Sequence, residues 1–240
     1  MVTEMHRAII GGTLFAELMI RVMLDNMKVR PEYIYVMEED EKRAKSLKNK
    51  FGVQTGGSLF PVKKAHVVML TVDVMQEENL ARQLADNMLP GIPLISVVNG
   101  RDIQSLEEAF PNRPIIRATN NAFAMYGEGM GIFSVGKFAK ADARSVAYTM
   151  LSQIGKVIEV PEEQFDRVSS GLSKETFAAA VFLDVLQERC VSLGLNEDEA
   201  QTAALQIYAG CAKITLAGNL TAFCASNEKA RDEILRSLPK

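Results

Sequence analysis

Histidine and cysteine are scarce in this chain, with two and three among 240 residues. The cysteines, Cys190, Cys211 and Cys224, are odd in number and form no C-x-x-C pair. That argues against a disulfide framework and against a thiolate metal site, and it leaves free thiols in a reducing compartment. His6 and His66 stand alone at the edges of apolar runs, as strand-edge residues do rather than ligands or catalytic bases. No metal is expected. Long runs of one charge are missing too: Glu38-Glu39-Asp40-Glu41 is followed at once by Lys42-Arg43. With a net charge of −3 and a pI near 5.6, a surface that binds nucleic acid by neutralising phosphates is not expected. No apolar stretch reaches the length of a membrane span. Met1 to Arg7 lacks the charged and apolar regions of a signal peptide, so a cytoplasmic location is expected. Repeats and low-complexity segments are also missing.

What is present is an ordinary globular balance, 48% apolar and 24% charged, long enough for two domains. The first two thirds alternate strand-like and helix-like segments. Arg7 to Gly11, Tyr33 to Met37, His66 to Val72, Pro93 to Val98 and Ile115 to Ala118 read as buried strands. Leu14 to Met27, Asp40 to Lys50, about Met75 to Asn87, and Asp102 to Phe110 read as helices. This alternation predicts a doubly wound α/β sheet. After Val160 strand patterns stop, and Gln164 to Gly194, Glu197 to Gly218 and Asn227 to Leu238 read as helices. The expectation is a Rossmann-type domain over 1–160 and a smaller all-α domain over 161–240.

The most informative stretch runs from Ala8 to Ala16, a strand, a glycine turn and a helix start. A dinucleotide pyrophosphate sits on a helix N-terminus after such a turn, whose pattern is G-x-G-x-x-G/A. Gly11 and Ala16 fill its first and last positions, but Thr13 stands where the second glycine belongs. The alternative is a plain tight turn. Glu38 lies at the end of the second strand, where an acid accepts hydrogen bonds from a ribose 2′-hydroxyl and favours NAD. Glu39 is a near equivalent, and Arg43 leaves NADP open.

Together the segments resemble pyrroline-5-carboxylate reductase, the NAD(P)H-dependent enzyme that makes proline. Ile10-Gly11-Gly12 and the helix after it carry the resemblance, as does Val67 to Val72, which leads where the family has V-K-P. Ile95 to Gly100 is similar to I-S-x-x-A-G, and Ile116 to Asn121 to R-x-M-P-N-T-P, with Glu128-Gly129-Met130 following. Gly194-Leu195 and Ala209 to Lys213 resemble G-L and G-A-A-K of the helical domain. The chain departs from the family at four places. Val72-Asp73-Val74 replaces V-K-P, so an anion stands for a cation. Of M-P-N-T-P only Asn121 survives. Ser173-Lys174-Glu175-Thr176 replaces the G-S-G-P core of L-S-G-S-G-P-A-Y. The chain reaches Ser237 to Lys240 about where S-P-G-G-T-T would begin.

The resemblance implies hydride transfer from NAD(P)H to the C=N carbon of a small cyclic imine carboxylate, with the substrate open to change. The implied cofactor residues are Gly11, Gly12, Thr13, Leu14, Phe15, Glu38, Val72, Asp73 and Asn99. The implied substrate residues are Asn121, Glu128, Ser173 and Thr176. Ser173 and Lys174 are the catalytic candidates. Asn120-Asn121 also reads as a simple turn, Lys174 and Glu175 as a surface pair, and Phe123, Met125 and Met130 as packing residues. Two alternatives stand beside this one. One is a non-catalytic relative that keeps the fold to bind or regulate. The other is a hydroxyacid-type dehydrogenase using Lys174. The family dimerises through its helical domain. The apolar stretches Phe177 to Leu186 and Ala203 to Leu216 suit a homodimer.

Overall fold

A computed structural model describes residues 4–76, 78–219, 222 and 225. Its order is β1 (Arg7–Ile10), α1 (Leu14–Asp25), β2 (Ile34–Met37), α2 (Glu41–Phe51), β3 (Gln54–Gly56), β4 (Val67–Leu70), α3 (Glu78–Asn87) and β5 (Leu94–Ser96). Then come α4 (Ile103–Ala109), β6 (Ile115–Asn120), β7 (Gly129–Val135), α5 (Ala141–Leu151), β8 (Gly155–Glu159), α6 (Glu162–Ser192) and α7 (Glu197–Leu216). One eight-stranded sheet has the order β3-β2-β1-β4-β5-β6-β7-β8. The pairing is parallel except between β6 and β7. The first six strands have the doubly wound dinucleotide-binding order.

The strands β1, β2 and β4 are buried along their whole length, so their alternate residues feed two cores. Ile9, Val36, Val67 and Met69 join one core with Ala16, Met19, Ile20 and Met23 of α1 and with the buried face of α5. Ala8, Ile10, Tyr35, Met37, Val68 and Leu70 join the other with Leu84 of α3 and Leu106 of α4. The α1 residues follow the i, i+3, i+4, i+7 spacing of a single helical stripe. Each such fully buried side chain contributes about 1.5–3 kcal/mol.

Local chemistry sets the helix ends. Asp40 caps α2 through the N–H groups of Lys42 and Arg43, and Gly52 ends it at φ 71°. Asp102 caps α4 through Ser105 N–H. Asn196 and Glu199 form a reciprocal capping box at the start of α7.

Three sequence expectations change. The strand expected to stop at Ala118 continues through Thr119 and Asn120, so Asn120 of the Asn120-Asn121 pair read as a turn lies in the strand. β7 was not foreseen: its glycines blunt the strand pattern, yet it pairs antiparallel with β6 along most of its length. β3 is three residues of polar sequence paired with β2 and tied to α2 by Thr55 Oγ1, which donates to Ala44 O at 3.1 Å. The expected helix at Asn227 to Leu238 and the thiol of Cys224 lie outside the described residues. Of the other cysteines, Cys190 is buried and Cys211 exposed, both free.

The chain divides into two compact units, Met1–Ser173 and Lys174–Lys240, the division falling inside α6. Val160, where the composition shifts, still closes the sheet edge by donating its N–H to Phe133 O at 2.9 Å. In the second unit α6 and α7 expose large apolar side chains, among them Phe177, Phe182, Leu205, Ile207 and Leu216. Among the described residues no helix is long and apolar enough to cross a membrane.

Candidate cofactor and substrate site

The C-terminal ends of β1, β2 and β4 converge on the glycine turn. Gly11 has φ 96°, and a Cβ there would lie 2.4 Å from Val72 Cγ1. Only glycine fits on both counts. Gly11 N–H donates to Met37 O at 2.9 Å, and Thr71 Oγ1 donates to Gly11 O at 2.8 Å. The turn is thus tied to β2 on one side and to the end of β4 on the other. It sits between β1 and β4, where the strand order reverses and open α/β sheets bind ligands.

The residue that first cast doubt on the turn has a local role. Thr13 is the N-cap of α1, extended at φ −69° and ψ 172°, with Oγ1 accepting Ala16 N–H at 3.2 Å. No left-handed backbone is demanded there, so threonine is accommodated. The first-turn amides of Leu14 and Phe15 have no partner within the helix and stand open at its N-terminus. The Leu14 side chain is exposed, whereas Phe15 packs on the first core.

Gly12 is the position that needs a missing side chain. A Cβ there would meet Glu38 Oε2 and Leu47 Cδ1, each at 2.7 Å. Glu38 Oε2 accepts Gly12 N–H at 2.8 Å, and Oε1 accepts Asp40 N–H at 3.0 Å. Glu39 is exposed and takes no part. Arg43 is engaged at two nitrogens: Nε donates to Gly12 O at 2.6 Å, and a terminal nitrogen pairs with Glu17 Oε1 at 2.6 Å. Glu17 also pairs with Lys50 at 2.5 Å. The Lys50 hydrogen bond, with help from Arg43 and against the opposing effect of burial, holds the Glu17 carboxyl below its ordinary pKa.

Asp73 does not leave a bare anion beside the turn. Arg101, just after β5, donates Nε and Nη2 to its Oδ2 at 2.9 and 2.7 Å, while Met75 N–H donates to Oδ1. Burial alone raises the Asp73 pKa, but the Arg101 and Met75 hydrogen bonds outweigh it and the net direction is down. The neighbouring Val72 is partly exposed, and Asn99 is exposed in the turn ending at Gly100.

A second polar group gathers at the end of β6. Arg117, buried in the strand, donates to Glu162 at 2.9 Å and Asp166 at 2.5 Å and stacks on Phe165 at 4.0 Å. These contacts clamp the first turns of α6 to β6. They bring Ser169, Leu172 and Ser173 beside Thr119, Asn120 and Asn121 around a cavity of about 10 Å³. Asn121 Oδ1 accepts Met130 N–H at 3.0 Å, so it holds the start of β7. Asn120 is different, because both polar atoms of its carboxamide are buried and have no hydrogen-bond partner. From the sequence, Asn120 stands with Asn121 and Glu128 where the resembled family lines its cleft, or in a simple turn, with Asn121 the preferred residue of the two. The available signal was that it stands where the family has proline.

Other expected residues are placed less tellingly. Glu128 is exposed, its N–H donating to Phe123 O. Ser173 Oγ donates to Ser169 O at 3.1 Å. Lys174 and Glu175 are exposed on α6, and among the described residues neither forms an ion pair, so the expected surface pair is not made. Thr176 is half-buried. Phe123 and Met125, expected as packing residues, are exposed in the short helix Ala122–Tyr126, which leaves them solvent-facing beside Gly127. Among the described residues no cluster of three or more His, Cys, Asp or Glu could hold a metal.

Residues 7–100 match the family described as NADP oxidoreductase, coenzyme F420-dependent. The chain is 28% identical over 207 residues to pyrroline-5-carboxylate reductase of Synechocystis sp., covering 86% of this chain and 77% of that one. In structure it is similar to a pyrroline-5-carboxylate reductase of Coxiella burnetii, with TM-score 0.85, 22% identity, and 98% and 91% of the two chains covered. The Plasmodium falciparum pyrroline carboxylate reductase, solved with NADP bound, aligns at TM-score 0.69 and 15% identity, covering 97% and 93%.

Proposed function

We propose, from kinship with the pyrroline-5-carboxylate reductases, that this chain is an NAD(P)H-dependent reductase acting on the C=N bond of a small cyclic imine carboxylate in proline biosynthesis. The observation that carries the reading is the turn itself. Gly11 and Gly12 are bare where side chains would collide with Val72, Glu38 and Leu47. These glycines let the turn close tightly against β2 and β4, and the α1 N-terminus that follows is the kind of site on which a pyrophosphate sits. The residues present therefore fit a dinucleotide, with the amides from Thr13 to Phe15 for the phosphates and Glu38 for the adenosine ribose. A bound dihydronicotinamide supplies the hydride.

NADH is the cofactor we favour over NADPH. Glu38 is an anion at the ribose end, which repels a 2′-phosphate. The nearest cation, Arg43, is already committed to Gly12 O and Glu17. The chain's own contribution to catalysis is positioning, since the acids at the turn are held in hydrogen bonds, Glu38 by Gly12 N–H and Asp73 by Arg101. Asn121 and Ser173 offer neutral hydrogen-bonding groups for the substrate. A homodimer through the second unit follows from the apolar side chains that α6 and α7 leave exposed.

Fluorescence titration with NADH and NADPH tests the cofactor assignment, and oxidation of NADH by pyrroline-5-carboxylate tests the reaction. Binding of NADH with substrate-dependent oxidation is expected. No binding of either nucleotide at millimolar concentration overturns the enzyme reading in favour of a non-catalytic relative. Turnover of hydroxyacids that is lost in Lys174→Ala would instead support the dehydrogenase alternative.

A further inference from the structure

Asp73 and Arg101 stand on the loops after β4 and β5, the two strands that lie between β1 and β6 in the sheet. The pair therefore sits between the glycine turn and the polar group at β6. On one side, Asp73 follows Val72, whose Cγ1 lies close against Gly11. On the other, Ile103 N–H donates to Glu162 Oε1 at 3.0 Å, the oxygen that Arg117 reaches at 2.9 Å. Two residues past Arg101, the chain is thus tied to α6. Side chains alternate along β6, so Arg117 and Thr119 share the face that α6 covers. Asn121 continues that row, and Ser169 and Ser173 of α6 lie beside it.

Arg101 is held along one edge. Nε and Nη2 both donate to Asp73 Oδ2, while Met75 N–H fixes Oδ1. Among the described residues Nη1 makes no hydrogen bond, and the side chain is 31% exposed. The arginines on either side are engaged differently, Arg43 by Gly12 O and Glu17, and Arg117 by Glu162 and Asp166. Asp73 stands where the resembled family has the lysine of V-K-P, and Arg101 supplies a cation one strand further along. We infer that Arg101 binds the carboxylate of the substrate, with Asp73 as the residue that positions it. The inference rests on the imine-carboxylate reading above, and it names the charged group that Asn121 and Ser173 do not supply. Nη1 offers its N–H donors to a carboxylate oxygen, and hydrogen bonds between charged groups are the strong ones. The clamp by Asp73 orders the guanidinium before the substrate arrives, so little side-chain freedom is lost on binding.

Two imines supply the test, pyrroline-5-carboxylate and 1-pyrroline, the same ring without its carboxylate. Each is offered with saturating NADH to the wild-type chain, to Arg101→Gln and to Arg101→Lys. Glutamine keeps a donor for Asp73 and removes the charge, whereas lysine keeps the charge and loses the fork. The kcat/KM ratio of pyrroline-5-carboxylate to 1-pyrroline should fall about tenfold or more in Arg101→Gln, the effect of losing one charged hydrogen bond. Arg101→Lys should restore part of that ratio. NADH affinity, from fluorescence titration, should stay put. An unmoved ratio, with both imines losing equally, overturns the inference and leaves Arg101 a structural partner of Asp73. A loss of NADH affinity that accounts for the lost turnover assigns Arg101 to the dinucleotide phosphates, which also overturns it. If the wild-type chain reduces neither imine, the reductase reading fails by itself. Calorimetry with L-proline and pyrrolidine then decides on Arg101. Carboxylate-dependent binding that weakens in Arg101→Gln supports the inference, and binding that is equal in both chains or absent overturns it.

Discussion

Glu38 Oε2 accepts the N–H of Gly12 at 2.8 Å, so the acid of the second strand is locked onto the glycine turn of the first. The lock fixes the carboxylate where a ribose hydroxyl would meet it. Glu38→Ala removes both the ribose acceptor and the repulsion of a 2′-phosphate. The NADH to NADPH affinity ratio should fall about tenfold, since a hydrogen bond to a charged group contributes roughly 1.5–3 kcal/mol. Fluorescence titration of both nucleotides measures it, and an unchanged ratio would sink the proposed selectivity.

Gly11 and Val72 are coupled by contact. At φ 96° an alanine is strained, and its Cβ would sit 2.4 Å from Val72 Cγ1. Gly11→Ala should cost about 2–3 kcal/mol, combining backbone strain and overpacking. Val72→Ala in the same chain relieves only the steric part. The double variant should therefore recover part of the loss, as a non-additive cycle in thermal denaturation shows. Strict additivity would mean the turn moves away from Val72.

The scaffold was legible because apolar runs, turn glycines and caps all point one way. Asp40, Asp102 and Asn196 cap the helices their positions suggest, and the fully buried β1, β2 and β4 are interior strands of the sheet. The site was less legible for a physical reason. Thr13 looks damaging as a letter in a motif, yet its effect depends on φ and on which amide its hydroxyl meets. Asp73 looks like a charge reversal until Arg101, supplied by another loop, is seen on it. Asn120 and Asn121 are neighbours of the same type, and only three-dimensional pairing shows that one is satisfied and the other is not.

Glu17 joins α1 to α2 through Lys50 and Arg43. Its folded pKa is depressed, so its stabilisation is present above the unfolded pKa and lost as pH falls through the folded one. Glu17→Gln should lower stability by about 1–2 kcal/mol near neutral pH, partly screened because Lys50 is half exposed. Urea unfolding of both chains should converge as the pH drops below the carboxylate range. A gap that persists in acid would assign the loss to packing instead.

Phe177, Phe182 and Leu216 expose apolar surface that a second copy would cover. Light scattering should give about twice the 26.4 kDa chain mass. Phe177→Glu should shift the population to monomer without altering helix content, because a carboxylate cannot be buried unpaired. A wild-type monomer at tens of micromolar would contradict the dimer.

Asn120 separates stability from activity. Its carboxamide is buried with neither polar atom paired, a cost of roughly 1–3 kcal/mol in the free protein. Leucine has nearly the same shape and no polar atoms. Asn120→Leu should therefore melt at the wild-type temperature or above it. The same change removes the one unsatisfied donor and acceptor beside Ser169 and Ser173. If that group is held in reserve for a substrate or for a water that orients it, kcat/KM should fall about tenfold or more while NADH affinity stays put. A variant that is more stable and equally active would reduce Asn120 to an unpaired relic of strand β6. One that is less stable would show that a buried water already satisfies the amide.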